Sequence, residues 1–333
     1  MSRRSWILLG LLSALWGASY LFIKVALDDG AAPALIVFAR TALAALVLLP
    51  LAVQRGALAG LSENLAAILV LAVVQMGGPL LLIALGEQEI ASSLTGILVA
   101  TAPIFTFLLA FALEGEERAS GLSLAGVVIG IGGVALLLGL DAGGGTAALL
   151  GGLLVVAASF GYAVGAWLVK RRVRSIQPVA MVGATAAAAA ALTAPLAAVN
   201  LPDHALSLRA AGSLLALGVL CTGAAFVIFY SLVTSDGPAR ASLVGYIAPC
   251  FSIVYGVTLL DESFTATTAV GLLLILGGSW LAAEGRFPWR PRSGASRELA
   301  AGGVDVPASG EADGRPDPAL LESGAKHADR VAA

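Results

Sequence analysis

Ionisable side chains are scarce inside the long apolar stretches of this chain, and that scarcity makes each of them informative. Lys24 and Arg40 both stand within such stretches. A charge held in an apolar solvent is costly, so it is normally tied to a pathway, a partner or a ligand. Arg40 lies seven residues into its stretch, about 10 Å from the boundary at 1.5 Å per residue, and a guanidinium there keeps its charge. Two chemistries fit it: an internal pair with Asp28, Asp29 or Glu87, or contact with an anionic group of a substrate. Lys24 is nearer a helix end, where it either snorkels to lipid headgroups or terminates a binding stripe.

That stripe is Trp16, Tyr20 and Lys24, spaced four residues apart and therefore on one helical face. Aromatic rings ending in a cation can seat an organic molecule that carries a carboxylate. Ser19 lies beside Tyr20, and Gln75, Tyr162 and Tyr246 bring further polar tips from other stretches. Packing accounts for the aromatic residues as readily as recognition does. Pro103 and Pro249 fall inside apolar stretches, where each removes a helical hydrogen bond and frees the carbonyl of Val99 or Gly245. They are expected as paired kinks, acting as hinges, lining a pathway or serving packing alone. No catalytic constellation or metal-ligand cluster is legible: His204 and His327 stand apart, and Glu116-Glu117 and Asp261-Glu262 sit at the ends of stretches beside water, which suits capping. The expectation is no enzyme, no cofactor and no metal. The expected partners are a small-molecule substrate and membrane lipid, not nucleic acid, with a homodimer left open.

The elements that must position these residues are set by composition. Hydrophobic residues make up 59% of the 333, charged residues 12%, and mean hydropathy is +0.94. Soluble domains carry about 25% charge, so the solvent of this chain is mostly lipid. Cys221 and Cys250 both lie in apolar segments and read as buried thiols rather than a disulfide framework. The apolar run after Arg4 has the length of a spanning helix and lacks an obvious small-residue cleavage site.

A spanning helix needs about 20 mainly apolar residues. Ten stretches qualify, near 6–26, 33–53, 65–86, 90–113, 121–140, 149–169, 178–199, 210–233, 238–259 and 265–284. With the N-terminus in the cytoplasm, the inside segments hold Arg3, Arg4, Arg55, Arg118, Lys170, Arg171, Arg172, Arg174 and the arginines from Arg286 onward. The outside loops hold only Arg209, as the positive-inside rule requires. Both termini are then cytoplasmic in a multi-pass protein of the plasma (inner) membrane. Residues beyond 286 are rich in Gly, Pro, Ser, Ala and charge, and are expected as a disordered cytoplasmic tail, 286–333.

The chain also repeats itself at a constant offset of 146. Gly77 matches Gly223, Ala102-Pro103 matches Ala248-Pro249, Phe105 matches Phe251, Glu116 matches Glu262 and Gly132 matches Gly278. Five helices per copy is an odd number, so the second copy enters the membrane from the opposite face. The expected fold is an all-α integral membrane protein of ten transmembrane helices in two inverted five-helix repeats, 1–142 and 143–285. Inverted halves that exchange roles around a site at mid-membrane are a common basis of alternating access.

The same residues resemble the drug/metabolite transporter superfamily, in particular proteins with two EamA-type domains. The likeness is carried by Trp16-Gly17 followed by Lys24, by Arg40, by Ala102-Pro103 with Glu116, by Ala248-Pro249 with Glu262, and by the glycine-rich closing helices at 126–133 and 271–278. It covers roughly residues 6–284. The second copy departs at its start, where Phe160-Gly161 stands for Trp16-Gly17 and the basic residue follows two positions later, at Lys170. The resemblance implies a bacterial-type inner-membrane secondary transporter, often an exporter of amino acids or other small metabolites. A non-transporting membrane scaffold or receptor is the alternative, and a solid apolar interface between the halves would favour it. Because the acids fall at loops and helix ends, with Glu87 the one able to lie deeper, transport is expected to follow the substrate gradient. The topology is tested by cysteines placed at Arg172 and Gly144: an impermeant maleimide should reach them from opposite sides of the membrane, and labelling of both from one side contradicts the assignment.

Overall fold

A chain surrounded by hydrocarbon must satisfy its backbone polar groups within itself, and helices do so segment by segment. The computed structural model of this chain describes residues 1–114, 121–141, 145–172 and 176–283, and among them there is no strand. Glu116, Glu117, Arg118, Gly143, Gly144, Arg174 and the expected tail lie outside the described residues. Those described all fall within one compact unit, Met1–Arg290.

Eight helices are long and apolar enough to cross a membrane: α1 (Arg3–Asp28), α2 (Pro33–Gln54), α3 (Leu65–Gly86), α4 (Ser92–Leu113), α5 (Gly121–Gly139), α6 (Gly145–Val169), α7 (Pro178–Ala198) and α8 (Leu208–Val233). Two shorter apolar helices follow, α9 (Val244–Leu259) and α10 (Ala266–Ala282). The stretch expected at 238–259 divides, because Pro238–Ala241 forms a separate short turn. The 16 residues of α9 then span about 24 Å, less than a hydrocarbon core of about 30 Å. Starts are encoded locally. Pro33 and Pro178 open α2 and α7, where a missing N–H costs nothing. The hydroxyls of Ser2 and Ser207 cap α1 and α8, and Thr265 and Thr268 cap each other's backbone at α10. Below, the near end of the bundle is the one where α1 begins, and the far end is the opposite one.

Leu46, Val128 and Leu273 are about 70% exposed, while the interior mixes leucine and isoleucine, such as Leu9, Ile36 and Ile97, with many alanines and small polar residues. Small residues let helices approach where lipid removes any hydrophobic drive to associate. A side-chain carbon on Gly17 of α1 would sit 2.8 Å from the carbonyl of Ala248 on α9. One on Gly278 of α10 would sit 2.5 Å from the backbone nitrogen of Gly130 on α5. Cys221 is buried, but Cys250 is exposed, contrary to the expectation of two buried thiols. A thiol is apolar enough to face lipid, and Cys250 Sγ also donates weakly to the Tyr246 carbonyl at 3.9 Å.

Helix pairings exchange between the first and second halves of the chain. α1 packs on α8 and α9, and α6 packs on α3 and α4, the corresponding helices of the other half. α2 packs on α7 and α5 on α10, each against its own counterpart. Local distortions correspond as well. α3 carries a π turn at Ala72–Gly77 and α8 one at Val219–Ala224, within one residue of the 146 offset. π turns of this kind recur at functional positions.

The two prolines do not form the matched kinks expected of them. Pro249 lies inside α9, but α4 is broken at Ala100-Thr101, and Pro103 stands in the first turn of its second segment, Ala102–Glu114. The carbonyls released there are taken by hydroxyls. Thr101 donates to Leu98 at 2.7 Å, Ser159 of α6 to Leu98 at 3.3 Å, and Ser279 of α10 to Ala100 at 2.9 Å. Close packing of α5 on α10 gives a direct test. Gly278→Ala should lower the thermal midpoint of the detergent-purified protein, reflecting overpacking of about 1–3 kcal/mol. Gly132→Ala, whose added carbon meets nothing within 4 Å, should not lower it. Equal losses in both variants would contradict the packing account.

Candidate functional site

Five helices, α1, α2, α3, α6 and α8, converge on a polar group buried among apolar side chains. α1 contributes Ser19, Tyr20 and Lys24, α2 contributes Arg40, α6 contributes Tyr162, and the π turn of α8 contributes Thr222. The turn beyond α3 adds Glu87. Arg40 is 7% exposed. Its Nε donates to Thr222 Oγ1 at 2.7 Å and its Nη2 to Ser19 Oγ at 3.3 Å. Thr222 donates its own hydroxyl hydrogen bond to the Leu217 carbonyl, five residues back, at 2.8 Å. A guanidinium from the first half of the chain is thus held by a hydroxyl from the second half.

The expected ion pair of Arg40 is absent. Asp28 lies 3.9 Å from Lys24, Asp29 accepts from the backbone of Ser207 at 2.8 Å, and Glu87 accepts from no donor. Serine and threonine hydroxyls take the place of a carboxylate, which leaves the cation's charge uncompensated by any acid within 4 Å among the described residues. Lys24 is tied within the bundle: its Nζ donates to the backbone carbonyl of Glu87 at 3.0 Å, linking α1 to the α3–α4 turn.

Trp16, Tyr20 and Lys24 do share a face, and it is turned toward the second half of the chain at its near end. The Trp16 ring meets Phe226 and Phe229 of α8 at centroid distances of 5.8 and 5.4 Å. Tyr20 lies over Gly96 of α4, where an added side-chain carbon would come 3.2 Å from its ring. Gln75 covers Gly165 on α6, and Tyr246 sits in the first turn of α9. Tyr20 and Tyr162, in contrast, pack against one buried apolar cluster that holds α1, α2, α3 and α8 residues. A cleft of about 160 Å³ opens at the near end between α2, α7 and α8, lined by Leu48, Arg55, Val182, Phe226 and Ser231. Phe226 therefore separates that cleft from Trp16. A second hollow, of about 360 Å³, lies at the far end between α1 and α8, on Phe22, Val25, Leu208 and Arg209. Neither reaches Arg40, around which the side chains are packed.

The far end is fastened by two carboxylates that cross between the halves. Glu262, expected to cap a helix end beside water, caps one in the other half: it accepts from the backbone of Ser92 at 2.7 Å and Ser93 at 2.9 Å, the first turn of α4. Its side chain occupies the space where Gly256 lacks a Cβ, and the left-handed backbone of Asp261 (φ 54°) sets up the turn. Asp29, from the α1–α2 turn, accepts from Ser207 at the start of α8, while His204 meets the Asp29 carbonyl at 3.1 Å. The Ser207 backbone N–H, foremost, holds the Asp29 carboxyl below the usual carboxylate range. Glu116, the counterpart of Glu262, lies outside the described residues.

Glu87, the acid expected at a helix end but able to lie deeper, stands in the turn after α3 and is 0% exposed, and among the described residues neither carboxylate oxygen has a hydrogen-bond partner. Burial, foremost, pushes its carboxyl well above the ordinary range. Thr222 was missed altogether, since a single threonine in an apolar stretch carries no signal until Arg40 is seen beside it.

Known proteins match this chain at both levels. The sequence profile described as the EamA-like transporter family matches twice, over residues 4–139 and 149–283. The uncharacterized transporter YoaV of Bacillus subtilis (strain 168) is 26% identical over 286 residues, 83% of this chain and 96% of that protein. The uncharacterized inner membrane transporter YedA of Escherichia coli (strain K12) is 26% identical over 83% of this chain and 90% of its own length. An uncharacterized transporter of Archaeoglobus fulgidus is 25% identical over 84% and 98%. A solved crystal structure aligns with a TM-score of 0.60 over 85% of this chain and 98% of that one, at 23% identity, which is a likeness of fold alone.

Proposed function

The chain belongs to the EamA-like transporter family, and on that premise we propose that it is a secondary carrier exporting small organic metabolites, amino acids among them, by alternating access. The two halves, 1–142 and 143–285, act as inverted five-helix repeats around the Arg40 group. The double match of the family profile, the exchanged helix pairings and the corresponding π turns support this reading.

The single observation that carries it is Arg40. A permanent cation is buried at the contact between the halves, held by Thr222 and Ser19 and balanced by no carboxylate within 4 Å among the described residues. A substrate carboxylate supplies the missing charge, with Tyr20 and Tyr162 as the aromatic walls beside it. In this reading the fastened far end faces outward and the near-end cleft opens toward the cytoplasm. Arg3, Arg4, Arg55 and Arg240 at the near end fit that orientation. The molecule as described is then a conformation closed to the outside. Pro103 and Pro249, each beside a helix break or within a helix, are the proposed hinges.

A non-transporting scaffold accounts for the hydropathy, but it gives no reason to bury an arginine, a glutamate and their hydroxyl partners between the halves. Such groups are expensive in a membrane and are retained where they act. The names of the relatives, and the family itself, point away from an enzyme.

Efflux of a labelled metabolite panel from proteoliposomes is the test. At least one carboxylate-bearing metabolite should leave protein-containing vesicles faster than empty ones. Arg40→Met should reduce that flux by about 10- to 150-fold, the range expected for a lost charge-assisted hydrogen bond of about 1.5–3 kcal/mol. Tyr246→Phe, away from the Arg40 group, should change it little. Full activity in folded Arg40→Met protein contradicts the assignment.

A further inference from the structure

Glu87 is unlike every other acid in the described bundle. Its side chain is completely buried, and both carboxylate oxygens lack any donor. Charged and titratable groups approach it from each side without reaching it. α1 brings Tyr20, Lys24 and Asp28, α2 brings Arg40, α6 brings Tyr162, the turn before α10 brings Glu262, and its own turn carries the exposed Glu89. The two cations are engaged elsewhere: Arg40 with Thr222 and Ser19, Lys24 with the Glu87 backbone carbonyl and beside Asp28. An ionised carboxylate without donors in such a place costs several kcal/mol, and the group takes a proton instead.

Its position gives that proton a role. Glu87 begins the short turn 87–91, and the turn ends at Ser92 and Ser93, the two residues whose backbone N–H groups hold Glu262. Ser92 is itself 1% exposed, with its hydroxyl unpartnered. Bringing Glu87 to water means moving this turn, and moving the turn pulls Ser92 and Ser93 away from Glu262. Protonation at one end of the turn and closure at the other are mechanically joined. We propose that Glu87 is a proton-binding site of the far-end gate, which closes over the neutral acid and opens as the acid ionises. On opening, the carboxyl O–H bond breaks and its proton passes to water at the far end; on closing, one proton is taken from that water. The inference rests on alternating access as set out above, and it replaces the expectation that no embedded acid takes part.

The sign follows from linkage. An open, hydrated Glu87 titrates in the ordinary carboxylate range, and burial pushes it well above that range. The closed form is therefore undisturbed below the ordinary carboxylate range, and above it the closed form loses ground to the open one. The ratio changes by up to tenfold per pH unit until the carboxyl is ionised in both. Higher external pH opens the far end.

Cysteine labelling reads this directly. The full-length protein, with Cys221→Ser and Cys250→Ser, carries Ser92→Cys as the reporter and, in a second preparation, Asn200→Cys as an exposed reference. Reaction with an impermeant maleimide at position 92, divided by that at position 200, should rise at least tenfold between pH 5 and 8. Glu87→Gln should stay at the low-pH rate throughout, and Glu89→Gln should behave as the parent. Glu262→Gln should raise the rate at every pH while keeping the slope. A slope that survives Glu87→Gln overturns the proton site but leaves alternating access standing. A position 92 that never reacts, even in Glu262→Gln, overturns alternating access and the proton site with it. Where Glu87→Gln does not fold, the infrared carbonyl stretch of a protonated carboxylic acid in the parent decides: its presence while position 92 is shielded supports the site, and its absence overturns it.

Discussion

A guanidinium that cannot lose its proton, buried in a bundle surrounded by hydrocarbon, constrains everything around it. Arg40 needs acceptors at fixed positions, and the chain supplies them from two different helices, Ser19 on α1 and Thr222 on α8. Thr222 can face Arg40 because the π turn at Val219–Ala224 rotates it there and lets its hydroxyl reach Leu217 five residues back. The arrangement fixes how α1, α2 and α8 meet. It also leaves a positive charge in the interior that only an arriving anion or a neighbouring acid can answer.

The rest of the packing follows from keeping that centre between two similar halves. Leucine and valine face outward as well as inward, since lipid accepts them, and glycine and alanine stand where helices touch most closely. The polar contacts across the halves at the far end are Glu262 on Ser92 and Ser93, and Asp29 on Ser207, beside apolar contacts such as Ile23 and Ala31 with Leu214 and Leu217. Each polar contact is a carboxylate holding one or two backbone N–H groups at a helix start. Contacts between α2 and α7 and between α5 and α10 are instead apolar and close, suited to surfaces that stay together.

Much of this was legible before any coordinates. Apolar stretch lengths located the helices to within a few residues, because about 20 residues of hydrocarbon are a hard requirement. Arg40 and the Trp16–Tyr20–Lys24 face stood out because charge and polar rings are conspicuous against leucine. What the sequence did not reveal are partnerships between distant residues. The Arg40–Thr222 bond spans 182 positions and the Glu262–Ser92 bond 170, and nothing local marks either. The depth of Glu87 stayed open in the sequence because a turn holding Glu87, Gln88 and Glu89 looks hydrated, and only the fold shows Glu87 buried there. Pro103 read as a mid-helix kink because a proline within an apolar run looks the same whether the helix bends or restarts.

Alternating access by two halves makes one claim that other readings of this bundle do not: its two ends must move in opposite senses. Paired spin labels measure this, one pair at Gln88 and Ser263 on the far end and another at Arg55 and Ser235 on the near end, all four positions being exposed. In lipid nanodiscs, addition of a transported substrate or a change of external pH should lengthen the far-end distance in the same population whose near-end distance shortens. Distances that stay fixed at both ends, or that lengthen together, would contradict the account.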